Sequence, residues 1–342
     1  MKNLSNLALI TLLIALFPIP TMASEDNILH IYSSRHYDTD EALYDNFTKE
    51  TGIEIKRIDG KGDALIARLQ QEGNKSPADL FITVDSGRLW KAEQAGLFSS
   101  INSEILTKQI PSNLRHPDNK WFGFSKRARV IVYNKDKINK DEITTYADLT
   151  KANYKGRICV RSSGNIYNLS LMASFIAQQG QGYAAKWAKS VLDNLARKPQ
   201  GGDTDQIRAV AAGLCDIALV NSYYLYRLQR SDKAQDKAIT NNLALVFPDQ
   251  NKQGTHVNIS GAGVLKHADN KDAAIQFLEY LTTPKAQAYF ANGNNEYPVV
   301  ENISVNETVK ADIGFIMQDM NVEEFGKNQQ KAKMIFDLIK FP

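Results

Sequence analysis

Tyrosines follow three predicted strands at the point where each strand ends. Tyr37 follows the first strand, directly after His36. Tyr167 follows a later strand, and the adjacent pair Tyr223 and Tyr224 follows another. In α/β folds, ligands bind beyond the carboxyl ends of the strands. A tyrosine that only packs has no reason to choose this edge, so we expect the four phenols and the imidazole to form one constellation.

Phenols at a binding site predict a highly charged, hard cation. A free tyrosine has a pKa near 10, so phenolate is scarce at neutral pH. Such a cation displaces the proton, because metal sites select the deprotonated ligand. Several phenolates supply hard anionic oxygen, which suits Fe³⁺, whereas Zn²⁺ or Cu⁺ would favour His/Cys or Cys/Met sets. Calcium or magnesium would call for closely spaced carboxylates, and no EF-hand-like run exists.

The elements that must position these residues form an α/β pattern, in which short apolar runs alternate with helical periods. The first seventy or so mature residues predict three parallel strands with right-handed helical crossovers. The strands predicted there are 28–34, 53–59 and 78–84, and the helices are 39–52, 62–73 and 86–96. A second block predicts strands 156–162 and 215–221 and helices 168–180, 183–196 and 205–213, and a helical stretch covers 271–293.

Two lobes are expected, because 342 residues is long for a single core. Strands 128–134 and 257–265 are predicted to join them. Residues 24–128 with 254–304 are assigned to an N-terminal lobe, and residues 129–253 with 305–342 to a C-terminal lobe. The ligand cleft is expected between these lobes, each a mixed sheet flanked by helices.

Residues 1–23 predict a secretory signal peptide. Lys2 precedes an apolar run over residues 7–17, and Thr21 and Ala23 occupy the −3 and −1 positions of a cleavage site. The apolar run is too short for an ordinary membrane span, and no other stretch of the mature chain is long and apolar enough to be one. We therefore expect an exported protein.

The two cysteines, Cys159 and Cys215, predict one disulfide in an exported chain. A metal pair is the weaker alternative, because neither cysteine lies in a CxxC pattern or near a histidine cluster. Each cysteine lies eight residues before a tyrosine, Tyr167 and Tyr223 respectively. The bond would then fix the relative position of two ligand loops, and the alternative is simple stabilisation of one lobe.

Composition and motifs argue against two other function classes. The chain is 43% hydrophobic and 23% charged, and its net charge of +3 is spread without a basic block, so nucleic-acid binding has no compositional support. The sequence contains no GxSxG, HExxH or Walker A motif. We therefore predict that the protein is not an enzyme.

Several motifs together resemble the periplasmic ferric-ion-binding proteins of bacterial ABC iron importers. They are "IYSSRHYDTD", "GDALIARLQQEG", "SPADLFITVDSGRLWKAEQAGL", "RARVIVYN", "SSGNIYNLSL" and, most specific, the paired tyrosine of "NSYYLYRL". The resemblance implies the class II periplasmic binding-protein fold, the bilobal architecture shared with transferrin. It implies Tyr37, Tyr167, Tyr223 and Tyr224 as iron ligands, with His36 as a fifth ligand or a near neighbour.

The resemblance also implies a cargo, a location and a partner. Fe³⁺ would be carried in the periplasm by a monomer and passed to an inner-membrane ABC permease. Some members complete the iron shell with an anion such as carbonate. Because this sequence offers a histidine and several tyrosines, such an anion is allowed here but is not required. Arg35 and Arg129 would each face a phenolate or that anion, or form a surface salt bridge. Tyr226 is expected to pack behind the site.

An alternative on the same scaffold is a receptor for an organic solute, such as a polyamine, thiamine or a phosphonate. Its cleft would use carboxylates or aromatic sandwiches for cations, or hydroxyls and helix N-termini for phosphonates. None of these ligands requires adjacent phenols.

Overall fold

The computed structural model describes residues 27–35 and 37–342. The predicted signal peptide, residues 1–23, and the candidate ligand His36 lie outside the described residues. Among the described residues, none of the helices combines the length and the apolar character that crossing a bilayer requires.

Strands and helices alternate through most of the described chain, which confirms the predicted α/β class. The strands are β1 (Ile28–Ser33), β2 (Glu54–Asp59), β3 (Leu80–Val84), β4 (Phe122–Asn134), β5 (Ile158–Cys159), β6 (Ile217–Asn221), β7 (Leu243–Val246), β8 (Val257–Val264) and β9 (Tyr297–Pro298). The α-helices are α1 (Glu41–Thr51), α2 (Gly62–Glu72), α3 (Ser86–Gln94), α4 (Glu104–Gln109), α5 (Ile166–Asp193), α6 (Asp203–Ala211), α7 (Ser222–Gln229), α8 (Ala234–Ala238), α9 (Lys271–Tyr280), α10 (Pro284–Asn294), α11 (Glu307–Lys310) and α12 (Glu323–Leu338).

The first three strands form the predicted parallel unit. β1 lies between β2 and β3 and is parallel to both. α1 and α2 provide the two crossovers, and α1 ends at Gly52, whose φ of 76° is a left-handed conformation that suits glycine. β8 then pairs antiparallel with β3 and extends the sheet.

Strand β4 belongs to two sheets in turn. Its residues 122–128 pair with β8, whereas residues 129–133 pair with β6. We call the sheet of β1, β2, β3, β8 and the first part of β4 the first lobe, and the sheet of β5, β6, β7 and the second part of β4 the second lobe. The residue bounds assigned to the lobes from the sequence stay a prediction.

The second part of β4 is apolar at nearly every position because both of its faces are covered. Val130 and Val132 point into one apolar cluster, and Ile131 and Tyr133 point into another. This is the alternation expected when successive side chains of a strand point to opposite faces of the sheet. It explains why the sequence shows a continuous apolar run here instead of a polar and apolar alternation.

Two predicted elements differ from those observed. The strand predicted over residues 156–162 pairs only at β5, because the chain leaves the sheet after Cys159 and turns towards α5. The strand predicted over residues 128–134 begins six residues earlier, at Phe122, since the preceding segment finds a partner in β8. The predicted break between the two helices of the second block is confirmed, because Gly180 interrupts α5 with a φ of 83°.

The predicted disulfide is confirmed. Cys159 in β5 and Cys215, which precedes β6, are bonded and buried, with their Cα atoms 6.0 Å apart. β5 and β6 are parallel neighbours, so the bond joins the two strands that lead to α5 and α7.

Replacing both cysteines by alanine should lower the free energy of unfolding by about 4 kcal/mol, since the bond closes a loop that spans 56 residues of sequence separation. Urea unfolding of the double variant and of the wild type, each with and without a reductant, measures this difference. Reductant should destabilise only the wild type. A loss under about 1 kcal/mol in the double variant would contradict the expected restriction of the unfolded chain.

Candidate metal centre

A cleft of about 600 Å³ lies between the two lobes. The first lobe contributes Tyr37 and Arg88 to its wall, and the second lobe contributes Tyr167 and Tyr224. Three of the four phenols predicted from the sequence, Tyr37, Tyr167 and Tyr224, therefore line one cleft. In this class of fold, ligands bind at this position.

Tyr167 is held at the beginning of α5. The side chain of Asn165 caps this helix by accepting a hydrogen bond of 3.1 Å from the backbone N–H of Tyr167. The tyrosine thus lies in the first helical turn and not in the loop that the sequence suggested. Its hydroxyl oxygen is 3.5 Å from that of Tyr223, which brings two of the predicted ligands together.

Tyr223 and Tyr224 lie in the first turn of α7, which begins at Ser222 directly after β6 ends. Their rings stack, with centroids 4.2 Å apart and an interplanar angle of 30°. Tyr223 is only 2% exposed, whereas Tyr224 is half-buried and reaches the cleft. The adjacent pair therefore presents two phenols from one short helix to the same region.

Burial and mutual proximity keep these phenols neutral in the absence of a metal. Burial raises the pKa of Tyr223 well above its usual range, and the neighbouring Tyr167 and Tyr37 raise this pKa further. Burial also raises the pKa of Tyr224 and that of Tyr37, and the nearby Tyr167 raises both pKa values further. Each phenolate would repel the others, so only a cation placed among them makes several phenolates favourable.

Arg35 lies under Tyr37 but is already paired. Its guanidinium carbon is 4.7 Å from the centre of the Tyr37 ring. Its nitrogens form ion pairs of 2.9 Å with Asp40 and 3.0 Å with Glu296, both buried. Arg35 therefore forms a buried salt bridge and not the surface one considered as an alternative. Its contact with Tyr37 is through the face of the ring.

The two terminal nitrogens of Arg129 are likewise occupied, whereas its Nε has no hydrogen-bond partner among the described residues. It donates hydrogen bonds of 2.8 Å to Asp203, 3.1 Å to the side-chain oxygen of Asn221 and 2.8 Å to that of Asn168. Its guanidinium carbon is 5.9 Å from the centre of the Tyr167 ring. Its terminal nitrogens therefore point at the supports of the tyrosines and are engaged there.

Arg127 is the arginine that the sequence analysis missed. It is buried, and its Nη2 donates to the carbonyl of Ile259. Its Nε lies 3.8 Å from Glu296, but Nε and Nη1 have no hydrogen-bond partner among the described residues. Its guanidinium carbon is 5.6 Å from the centre of the Tyr167 ring, and its charge lowers the pKa of Tyr223 and of Tyr37. The predicted strand began at Ala128, so Arg127 fell outside it. A strand extended to Phe122 would have placed Arg127 and Arg129 on one face.

Tyr226 is directed away from the cleft, as predicted. Its hydroxyl donates a hydrogen bond of 2.6 Å to Asp312 and shares one of 2.7 Å with the hydroxyl of Tyr297. Its role is therefore packing combined with a buried hydrogen-bond network, and its oxygen is not available to the cleft.

A second group of metal-ligand types lies outside the cleft. The Nε2 of His116 is 3.0 Å from Glu93 and 3.8 Å from Glu323. The backbone N–H of Asp118 donates to Nδ1 of this histidine, which leaves the proton of the neutral ring on Nε2, facing Glu93. Lys120 pairs with the same glutamate at 3.0 Å. The cluster is thus satisfied by hydrogen bonds and ion pairs.

Known proteins resemble this chain in sequence and in structure. The iron uptake protein A1 of Synechocystis is 46% identical over 320 residues, which cover 94% of this chain and 89% of that protein. A Trichodesmium protein, solved in complex with iron and citrate ligands, is 53% identical with a TM-score of 0.89 and matches 92% of this chain and all of that one. The ferric binding protein from Campylobacter jejuni is 41% identical with a TM-score of 0.87, over 92% of this chain and 100% of that one.

These neighbours agree with the two-lobed arrangement of the sheets. A sequence model for a family of solute-binding transport proteins also matches the chain, over residues 75–320, which is well over half of its length. That segment includes three of the four clustered phenols and both cysteines. The chain belongs to the bacterial extracellular solute-binding protein family.

Proposed function

We propose that this protein captures Fe³⁺ in the cleft through tyrosine phenolates and delivers it to an inner-membrane ABC permease. The observation that carries the proposal is the clustering of phenols at the cleft. The hydroxyls of Tyr167 and Tyr223 in the second lobe are 3.5 Å apart, and Tyr37 of the first lobe lines the same cleft as Tyr167 and Tyr224. Neutral phenols gain little from such crowding, whereas a hard trivalent cation gains several anionic oxygens. Relatives named for iron uptake and ferric binding support the same cargo.

The ligands proposed are Tyr37, Tyr167, Tyr223 and Tyr224, with His36 as a fifth ligand or a close neighbour. Three of the phenols belong to the second lobe, so Fe³⁺ meets that lobe first in an open cleft. Tyr37 then reaches the ion when the first lobe closes over it, by rotation about the segments that join the lobes.

The hinge proposed is the middle of β4 together with the chain that enters β8. The lobe bounds proposed are 24–128 with 254–304 and 129–253 with 305–342, and the change of β4 partners between Ala128 and Arg129 supports the first of these boundaries. The backbone N–H of Arg129 donates to the carbonyl of His256, which joins the two crossing segments where the pairing changes.

Arg127 offsets part of the charge of the phenolates. Four phenolates around Fe³⁺ carry one negative charge in excess, and Arg127 lies buried next to Tyr167, with Glu296 3.8 Å from its Nε. The open donors of Arg127 also suit an external anion such as carbonate, although the phenolates leave such an anion optional. Removing bicarbonate during iron loading distinguishes the two cases.

Export and partner follow from the same proposal. The signal peptide proposed at residues 1–23 directs the chain to the periplasm, where the monomer meets the permease.

A receptor for a polyamine, thiamine or a phosphonate is the alternative function. Calorimetry that compares the binding of those solutes with the binding of Fe³⁺ distinguishes the two functions. The cleft disfavours a polyamine, which needs free carboxylates, because arginines and phenols line it and its carboxylate Asp63 is paired with Lys91 at 2.6 Å and with Arg88 at 3.5 Å.

Loading with Fe³⁺-citrate should give the purified protein a phenolate-to-iron charge-transfer absorption in the visible range. Tyr223→Phe and Tyr224→Phe should each weaken or shift this band, because each removes one phenolate oxygen. Tyr226→Phe is the matched control and should keep the band, since that hydroxyl is bonded to Asp312 and Tyr297. A wild-type protein that stays colourless after loading would contradict the proposal.

Iron affinity should fall as the pH falls from 8 to 5. The pKa values of the buried phenols are raised in the metal-free protein, so each phenol is protonated throughout this range and releases its proton on binding. Each such ligand contributes roughly a tenfold change in affinity per pH unit.

Competition with a chelator, run in parallel on wild type and Tyr37→Phe, measures this slope and cancels the chelator's own titration. Tyr37→Phe should reduce the slope by about one decade per pH unit, because one proton fewer is released. Tyr226→Phe should retain the wild-type slope. Equal slopes in wild type and Tyr37→Phe would remove Tyr37 from the proposed ligands.

A further inference from the structure

A buried ion pair between Arg129 and Asp203 lies behind the phenols of the second lobe, and Arg161 lies 3.8 Å from the other oxygen of the same carboxylate. Arg129 is 1% exposed and Asp203 is fully buried, and their side chains are 2.8 Å apart. Arg129 occupies the position where β4 enters the second lobe, opposite Asn221 in the β4–β6 register. Asp203 is the first residue of α6. Neither residue is among the proposed ligands.

The pair supports the helix that carries Tyr223 and Tyr224. Asn221 directly precedes α7, and its side-chain oxygen accepts from Arg129 at 3.1 Å. Its backbone N–H donates to Asp203 at 2.9 Å. Asn221 therefore does not cap α7 with its side chain, because that oxygen is committed to Arg129.

The same arginine supports the helix that carries Tyr167. Asn168 follows Tyr167 directly, and its side-chain oxygen accepts from Arg129 at 2.8 Å. The amide nitrogen of Asn168 donates to the backbone carbonyls of Arg161 and Ser162, at 2.9 Å and 3.1 Å. One guanidinium thus connects, through Asn168, to the whole loop that leads from β5 to α5.

The chemistry of the guanidinium explains why this residue type suits the position. Its donors lie in a rigid plane, so a bond to one partner fixes the direction of the next. Asp203 neutralises the charge that would otherwise be buried alone, and it accepts the Asn221 N–H as well. Lysine offers a single rotatable ammonium in place of this fork and cannot reproduce the three directions together.

We propose that Arg129 and Asp203 are a positioning pair that sets the mutual placement of the Tyr167, Tyr223 and Tyr224 phenols before the metal arrives. The inference rests on the proposed function and extends it to residues that do not touch the ion. Support of this kind, at one remove from the ligands, contributes strongly to metal affinity in other sites.

The test compares Arg129→Lys and Asp203→Asn with the wild type. We expect Fe³⁺ affinity in chelator competition to fall roughly 10- to 100-fold in each variant. The charge-transfer band should also change its maximum or its intensity at full loading, because the phenolates no longer take the same arrangement around the ion. A residue that only stabilises the lobe would lower the melting temperature and leave the loaded spectrum unchanged.

Arg157 and Asp216 provide the matched control in the same lobe. They form an ion pair of 2.6 Å beside β5 and β6 but lie outside the cleft. Arg157→Lys and Asp216→Asn should keep the wild-type band and affinity. If Arg129→Lys does not fold, Asn168→Ala replaces it, since this change removes one acceptor of the pair and leaves the pair itself intact.

The outcomes separate this inference from the proposed function. A wild type without the band overturns the iron site itself. A wild type with the band, together with unchanged spectra and affinities in Arg129→Lys, Asp203→Asn and Asn168→Ala, overturns the positioning pair and leaves the iron site standing. An altered loaded spectrum in these variants and a normal one in the Arg157 and Asp216 variants supports the pair.

Discussion

The continuous backbone pairing of β4 holds the two lobes in one frame. Residues 122–128 take their partners from β8, and residues 129–133 take theirs from β6, with no break in the strand between them. In the proposed hinge motion, each lobe keeps its own rigid sheet while the chain between them bends at a small number of residues. The cleft, the phenols on its walls and the buried arginines of β4 all take their places from this strand. A shift of one residue in its register would turn Arg127 and Arg129 away from the tyrosines.

The site combines an unfavourable arrangement of acids with rigid support. Buried phenols whose ionised forms repel one another stay protonated in the metal-free protein. The supporting contacts are formed without the ion: Tyr167 is held by the Asn165 cap, and Arg129 bonds to the residues that flank the other phenols. Preorganisation of this kind lowers the cost of ordering the ligands when the cation binds. With the ligands already ordered, the principal chemical change on metal binding is the release of protons from the phenols.

Much of this arrangement could be predicted because local order fixes where strand ends meet. Tyr167 and Tyr223 follow neighbouring strands, so sequence order alone placed them near one edge of the sheet. The two cysteines were paired because the exported chain has only these two. Arg127 was missed because the continuous apolar run begins only at Ala128, after the polar Ser125 and Lys126, and because its pairing depends on β8, more than a hundred residues away. The partners of Arg129 were equally invisible, since Asp203 and Asn168 lie 74 and 39 positions from it and only folding brings them together. Contacts of this range leave no periodic signal in the sequence.

The unequal division of phenols between the lobes has a consequence for how the cargo leaves. In the proposed carrier, separating the lobes removes Tyr37 from the ion and leaves three oxygens of the second lobe attached. Mechanical opening by a permease would then expose the ion without freeing it. The last step must be chemical: a proton delivered to the phenolates, an electron delivered to the iron, or a competing oxygen ligand entering from the side that the first lobe has vacated. The first lobe, with one phenol, thus controls access to the ion. The second lobe, with three phenols, determines which reactant the recipient has to supply for release.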